Sequence, residues 1–123
     1  MLGYNPVLGM DPNDLTGKKT FSYDEARALL PQVRRLTEEA FRKAEAAGAA
    51  AAAGHGATEA QEQFDRAVSD WGRAVTGLGA EVKGLWLVDF DNGSGYYCWR
   101  YPEEGLLYFH SYEDGFRGRI RIQ

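Results

Sequence analysis

The apolar residues of this chain change period once, at Gly77–Gly79, and that change narrows the folds open to it. Upstream they recur every three or four positions, the period of a helix. Downstream they crowd into short runs separated by turn residues, the pattern of strands. Helices followed by a block of strands predict an α+β domain, not an alternating α/β one. The expected architecture is an antiparallel two-helix hairpin packed on a three- to four-stranded antiparallel meander, over residues 21–123, preceded by an irregular arm over residues 1–20.

The first helix is expected over about 22–47. Ser22 lies three residues before Glu25, the spacing of a capping box, in which each side chain accepts from an otherwise orphaned backbone N–H. Ala26, Leu29, Val33, Leu36 and Ala40 then form one apolar face, widened by Leu30, Phe41 and Ala44, and Pro31 removes one backbone hydrogen bond. The Ala- and Gly-rich stretch 46–57, containing His55, reads as frayed helix plus a turn. Thr58 and Gln61 repeat the capping-box spacing, and a second helix is expected over 59–77, with Ala60, Phe64, Ala67, Trp71 and Ala74 on one face. A short link makes the two helices antiparallel neighbours.

Strands are expected over 85–90 (LWLVDF), 96–101 (YYCWRY) and 106–110 (LLYFH), with turns at 91–95 and 102–105 and a fourth, shorter strand over 116–122. Counting outward from those turns pairs Asp89 with Tyr97 and Tyr97 with His110, and pairs Val88 with Cys98 and Cys98 with Phe109. Alternation then puts Asp89, Tyr97, Trp99, Tyr101, Tyr108 and His110 on one face, and Val88, Phe90, Tyr96, Cys98 and Phe109 on the other. Both faces come out mostly apolar. A helical hairpin covers one, so the arm, a second subunit or a ligand is expected on the other.

Composition excludes several classes. The chain has 123 residues, one domain's worth, with 44% hydrophobic residues and a net charge of −4. That balance argues against nucleic-acid binding by bulk charge and against a polybasic membrane anchor. A single cysteine, Cys98, cannot form an internal disulfide. No apolar run approaches the roughly 20 residues of a membrane span, and no signal peptide is apparent, so a cytoplasmic protein is expected.

Asp89, Tyr97 and His110 are the sharpest candidate constellation, because a carboxylate that orients an imidazole makes a general base or a metal ligand. The plainer role is a buried hydrogen bond that satisfies polar groups. Cys98 falls on the face opposite His110 in this register and reads as a buried structural thiol. Asp89, Cys98, His110 and Glu113 have no recognised metal-ligand spacing, and neither metal nor cofactor is expected. Trp99, Tyr101, Tyr108, Arg117 and Arg119 are a candidate binding surface of aromatics and cations. Arg117, Arg119 and Arg121 have salt bridges to nearby acids as their plainer role.

Five segments together carry a family resemblance: FSYDEARALLPQVR at 21–34, GLWLVDF at 84–90, CWR at 98–100, FH at 109–110 and GFRGR at 115–119. With them the chain resembles small prokaryotic proteins grouped as domain of unknown function 2203. The resemblance supports the helix-and-sheet fold and implies no activity, cofactor or partner. The family pattern has an acidic residue directly after the His, where this chain has Ser111, followed by Glu113 and Asp114. The leading expectation is a non-enzymatic protein-binding or assembly module, a homodimer or a subunit of a complex. The alternatives are a small enzyme or metal-binding protein using a solvent-reachable His110 with Asp89 or Glu113, and an RNA-binding accessory protein.

Overall fold

The structure is a computed structural model that describes residues 19–54 and 56–123. The expected arm lies, as far as residue 18, outside the described residues, as does His55. Helix α1 spans Tyr23–Ala52 and helix α2 spans Ala57–Gly77. Strands β1 (Glu81–Gly84), β2 (Leu87–Asp91), β3 (Gly95–Arg100), β4 (Tyr108–Ser111) and β5 (Ile120–Arg121) form one antiparallel meander in chain order. A 3-10 turn at Phe116–Gly118 precedes β5.

The expected capping box opens α1: Glu25 N donates to Ser22 Oγ at 3.1 Å, and Ser22 N donates to Glu25 Oε1 at 2.8 Å. The buried positions Ala26, Leu30, Val33, Thr37, Ala40, Ala44 and Ala47 alternate spacings of four and three. That is a seam against α2, where Ala60, Ala67, Trp71 and Val75 are buried. Leu29 and Leu36 flank the seam half-buried, so the buried stripe is rotated slightly from the expected one. Thr37 is the polar residue in the seam. Its hydroxyl donates to Val33 O at 2.7 Å and accepts from Trp71 Nε1 at 2.8 Å. The Ala-rich stretch stays helical to Ala52, because alanine favours helix and Ala44 and Ala47 are packed. The second capping box does not form: α2 starts after Gly56 without a side-chain cap, and Gly54 and Gly56 make the turn at φ 86° and 87°.

The strand boundaries differ from expectation in three places. Residues 81–84 form an extra strand. Leu85 and Trp86 turn back from it, with Trp86 at φ 63°, so β2 starts only at Leu87. The run 106–110 becomes strand only from Tyr108, since Leu106 is enclosed in the core and its carbonyl accepts from Tyr23 Oη at 3.0 Å. The expected strand 116–122 is a 3-10 turn and two paired residues.

Both expected registers are off by one residue. Asp89 pairs with Cys98 and Val88 with Trp99; Tyr97 pairs with Phe109 and Tyr96 with His110. The first turn closes with Asn92 N donating to Gly95 O, so β3 begins at Gly95. The β3–β4 connection runs from Tyr101 to Leu107 and is braced by Trp99 Nε1 donating to Glu103 O. The two slips cancel between β2 and β4 and reverse β3 alone. Val88, Phe90 and Trp99 therefore join the helices in one core, while Asp89, Asp91, Tyr96, Cys98 and His110 share the other face, all buried. The expectation of two apolar faces was a product of the wrong register. One face is apolar against the helices and the other carries buried polar groups. Among the described residues no helix is long and apolar enough to cross a membrane.

Candidate functional site

Three adjacent strands each deliver one residue to the centre of the face turned away from the helices. Asp89 on β2 stands directly opposite Cys98 on β3, and His110 on β4 stands diagonally across from Cys98, two residues beyond Tyr108. Asp89, Cys98 and His110 are 1%, 0% and 4% exposed. One donor atom of each lies within 4.8 Å of the other two.

The hydrogen bonds settle how the imidazole is used. His110 Nδ1 lies 2.8 Å from the Ser111 carbonyl, which can only accept, so Nδ1 carries a proton and donates. Nε2 is then the nitrogen that faces Asp89, 2.9 Å from Oδ2. A contact of that length needs a proton between the two atoms, held either as imidazolium and carboxylate or as imidazole and carboxylic acid. Burial raises the Asp89 carboxyl above its ordinary range, and Cys98 and His110 pull part of that back. Asp89 Oδ1 is buried with no hydrogen-bond partner among the described residues. A buried polar atom left without a partner costs about 1–3 kcal/mol. Burial first, and the Asp89 carboxylate second, push the Cys98 thiol up to about 12.

Around the trio the face is closed by ring stacking and paired charge. The Tyr96 ring packs against His110 at 5.4 Å and Tyr112 at 5.2 Å. Tyr112 Oη donates to Asp91 Oδ1 at 2.7 Å, and that bond, with a smaller part from burial, lifts the phenol to about 12. Lys83 Nζ sits 4.0 Å from the Tyr96 ring centre. Arg119 donates to both Glu103 carboxylate oxygens, at 2.6 and 2.7 Å, and lies 3.9 Å from the Tyr108 ring centre.

The expected constellation is therefore half assembled. Asp89 and His110 meet, but Tyr97 points to the helix face, where it packs on Tyr23 at 5.4 Å. Cys98 takes the place expected for Tyr97. Glu113 is exposed on the loop after β4. His110 is enclosed with both ring nitrogens bonded to protein atoms, so it does not meet the requirement of a solvent-reachable base. Cys98 was missed because one slipped residue moves a side chain to the opposite face. A signal was present: the register that gathers Val88, Phe90 and Trp99 on one face also gathers Asp89, Cys98 and His110 on the other.

The expected aromatic and cationic surface also divides. Trp99 is fully buried under the helices, and Tyr101 packs beside it against Phe41. Tyr108 and Arg119 remain on the opposite face, joined by Phe116, whose ring lies 4.4 Å from Arg119. Of Arg117, Arg119 and Arg121, only Arg119 pairs with a carboxylate among the described residues.

No curated protein and no solved structure matches this chain. A family described as uncharacterised conserved protein, domain of unknown function 2203, matches residues 19–122, spanning both helices and all five strands. The match covers the helices, the sheet and the positions of the polar trio, and the chain belongs to that family.

Proposed function

We propose that this chain is a non-enzymatic protein-binding module of the cytoplasm, and that its contact surface is the C-terminal segment folded along β4. The observation that carries this reading is where apolar side chains face solvent. Of the four large hydrophobic residues exposed among the described residues, Tyr112, Phe116 and Ile120 fall in this segment, at 48%, 37% and 63% exposure, and Leu85 alone lies elsewhere. Arginine surrounds them: Arg100 lies 5.5 Å from the Phe116 ring centre, and Arg121 lies 5.9 Å from that of Tyr108. Exposed aromatics interleaved with arginine are the composition of interface anchors, since both bury large areas and lose little entropy per contact made. The enclosed His110 supports the same reading, because it leaves this candidate base without access to a substrate.

The experiment is photo-crosslinking in cells with a light-activated amino acid in place of Phe116, and with the same group at exposed Glu62 on α2 as control. The expected result is one discrete protein adduct from position 116, absent from position 62 and lost when Arg117→Glu and Arg121→Glu are added. An adduct of twice the chain mass identifies a homodimer, and any other discrete protein mass identifies a complex. An adduct to RNA, or none, overturns the proposal.

A further inference from the structure

The geometry points to a single transition-metal site of the zinc class, formed by Asp89, Cys98 and His110 on the sheet face turned away from the helices. It does not depend on the binding role proposed above.

Four observations converge on it. The first is donor chemistry: a thiol, an imidazole nitrogen and a carboxylate are the three side-chain groups that zinc accepts, and hard cations such as calcium and magnesium select oxygen alone. The second is spacing. Bonds of about 2.0–2.3 Å at tetrahedral angles put ligand atoms roughly 3.3–3.7 Å apart. The His110 Nε2 to Asp89 Oδ2 separation of 2.9 Å needs only a small widening, and all three donor atoms already lie within 4.8 Å of one another. The third is orientation. A ligating histidine usually donates its other ring N–H to a carbonyl or carboxylate, which aims the free nitrogen at the metal. The Ser111 carbonyl does this for His110 at 2.8 Å. The fourth is Asp89 Oδ1, a fully buried oxygen without a partner among the described residues. Engaging through both oxygens, the carboxylate brings the donor atoms to four from three residues.

Charge balance fits the burial. Metal-free, the trio is neutral overall: Cys98 holds its thiol proton, and one further proton lies between Nε2 and Oδ2. Loading releases those two protons and takes up one dication, giving thiolate, carboxylate, neutral imidazole and metal, again neutral. The low-polarity surroundings therefore see no change in net charge. A monovalent ion would leave the site at −1, which a buried site penalises. Because all three ligands are enclosed, entry requires the sheet to open, so the metal loads quickly during folding and slowly into the folded chain.

The test uses the full chain without an affinity tag, refolded from denaturant with cobalt(II), and native mass spectrometry of the same preparation given zinc. Expected are saturation at one cobalt per chain, a thiolate-to-cobalt charge-transfer band, the intense visible bands of four-coordinate cobalt, and bleaching by zinc. The zinc-loaded mass should equal the metal-free mass plus one zinc minus two protons. Cys98 is the sole cysteine, so the charge-transfer band can come from it alone. Cys98→Ser should abolish that band, and His110→Gln should weaken binding by more than the ~100-fold typical of losing an outer partner. If either variant fails to fold, the wild-type spectrum and mass still decide. The site is overturned if cobalt shows only the spectrum of its hydrated ion and no metal-bound mass appears at stoichiometric zinc, or if the band survives in Cys98→Ser.

Discussion

Gly95 sits where the sheet cannot accommodate a side chain, and replacing it with alanine tests whether the spacing of β3 and β4 holds the trio together. A methyl group on Gly95 would lie 2.6 Å from the His110 carbonyl oxygen, 2.6 Å from Phe109 Cζ and 2.8 Å from Phe109 Cε1. Ordinary carbon-to-oxygen contacts are about 3.3 Å, so the shortfall is roughly 0.7 Å. The half-buried Phe109 ring can swing aside. The carbonyl cannot, because it belongs to the residue that pairs with Tyr96 and carries the imidazole. Forcing a methyl into such a gap costs about 1–3 kcal/mol. Alanine returns about 0.4–1 kcal/mol by restricting the unfolded chain, so Gly95→Ala should lose about 1–2 kcal/mol net. For a domain of this size that lowers Tm by roughly 4–10 °C.

Urea denaturation followed by tryptophan emission reads the stability of Gly95→Ala, and the His110 ring N–H resonances read its site. Both should move together, because the displaced carbonyl and the imidazole that contacts Asp89 at 2.9 Å share one residue. Gly93→Ala is the control. Gly93 has φ 95° with open space around its Cα, so alanine there suffers about 1–2 kcal/mol of backbone strain and should leave the His110 signals in place. A Gly95→Ala protein as stable as the parent, with unchanged His110 resonances, would refute the reasoning.

Thr37→Val keeps the seam filled but strands the Trp71 indole N–H, so it should cost about 1–3 kcal/mol in denaturant melts, whereas Thr37→Ser restores the acceptor and recovers much of that. With its thiol pushed up to about 12, metal-free Cys98 has almost no thiolate at pH 8; alkylation should follow the rate of unfolding, and fast modification of the native protein would contradict the enclosed site. Arg119→Met removes the Nη2 contact to both Glu103 oxygens, whose carboxylate also accepts from Arg100 N, and should cost about 1.5–3 kcal/mol; Arg119→Lys, measured the same way, keeps one charged donor and should recover part of that.

The helices were largely legible in the sequence, because their information is local. The capping box at Ser22, the three-and-four spacing through Ala40 and the glycine that stops α2 all act within one or two turns of the chain. Even there, Thr37 took a fully buried position while Leu29 and Leu36 stayed half-buried, since the stripe is set by what the partner helix can accept. The strands were legible as runs, and the pairing of Asp89 with His110 survived two register errors only because those errors cancelled. Glu81–Gly84 carried too little alternation to be recognised and became a strand because β2 offered it an edge.

Sequence by itself determined that this chain is a helical hairpin followed by an antiparallel sheet; its pattern put Asp89 and His110 on one sheet face and Cys98 on the other. Tertiary structure alone decided that those three meet. Strand residues alternate faces with a period of two, so a difference of one residue in either turn decides whether Cys98 faces the helices or faces His110. That difference is made by the Asn92–Gly95 closure and the Trp99-to-Glu103 brace, contacts between residues that a linear pattern cannot rank.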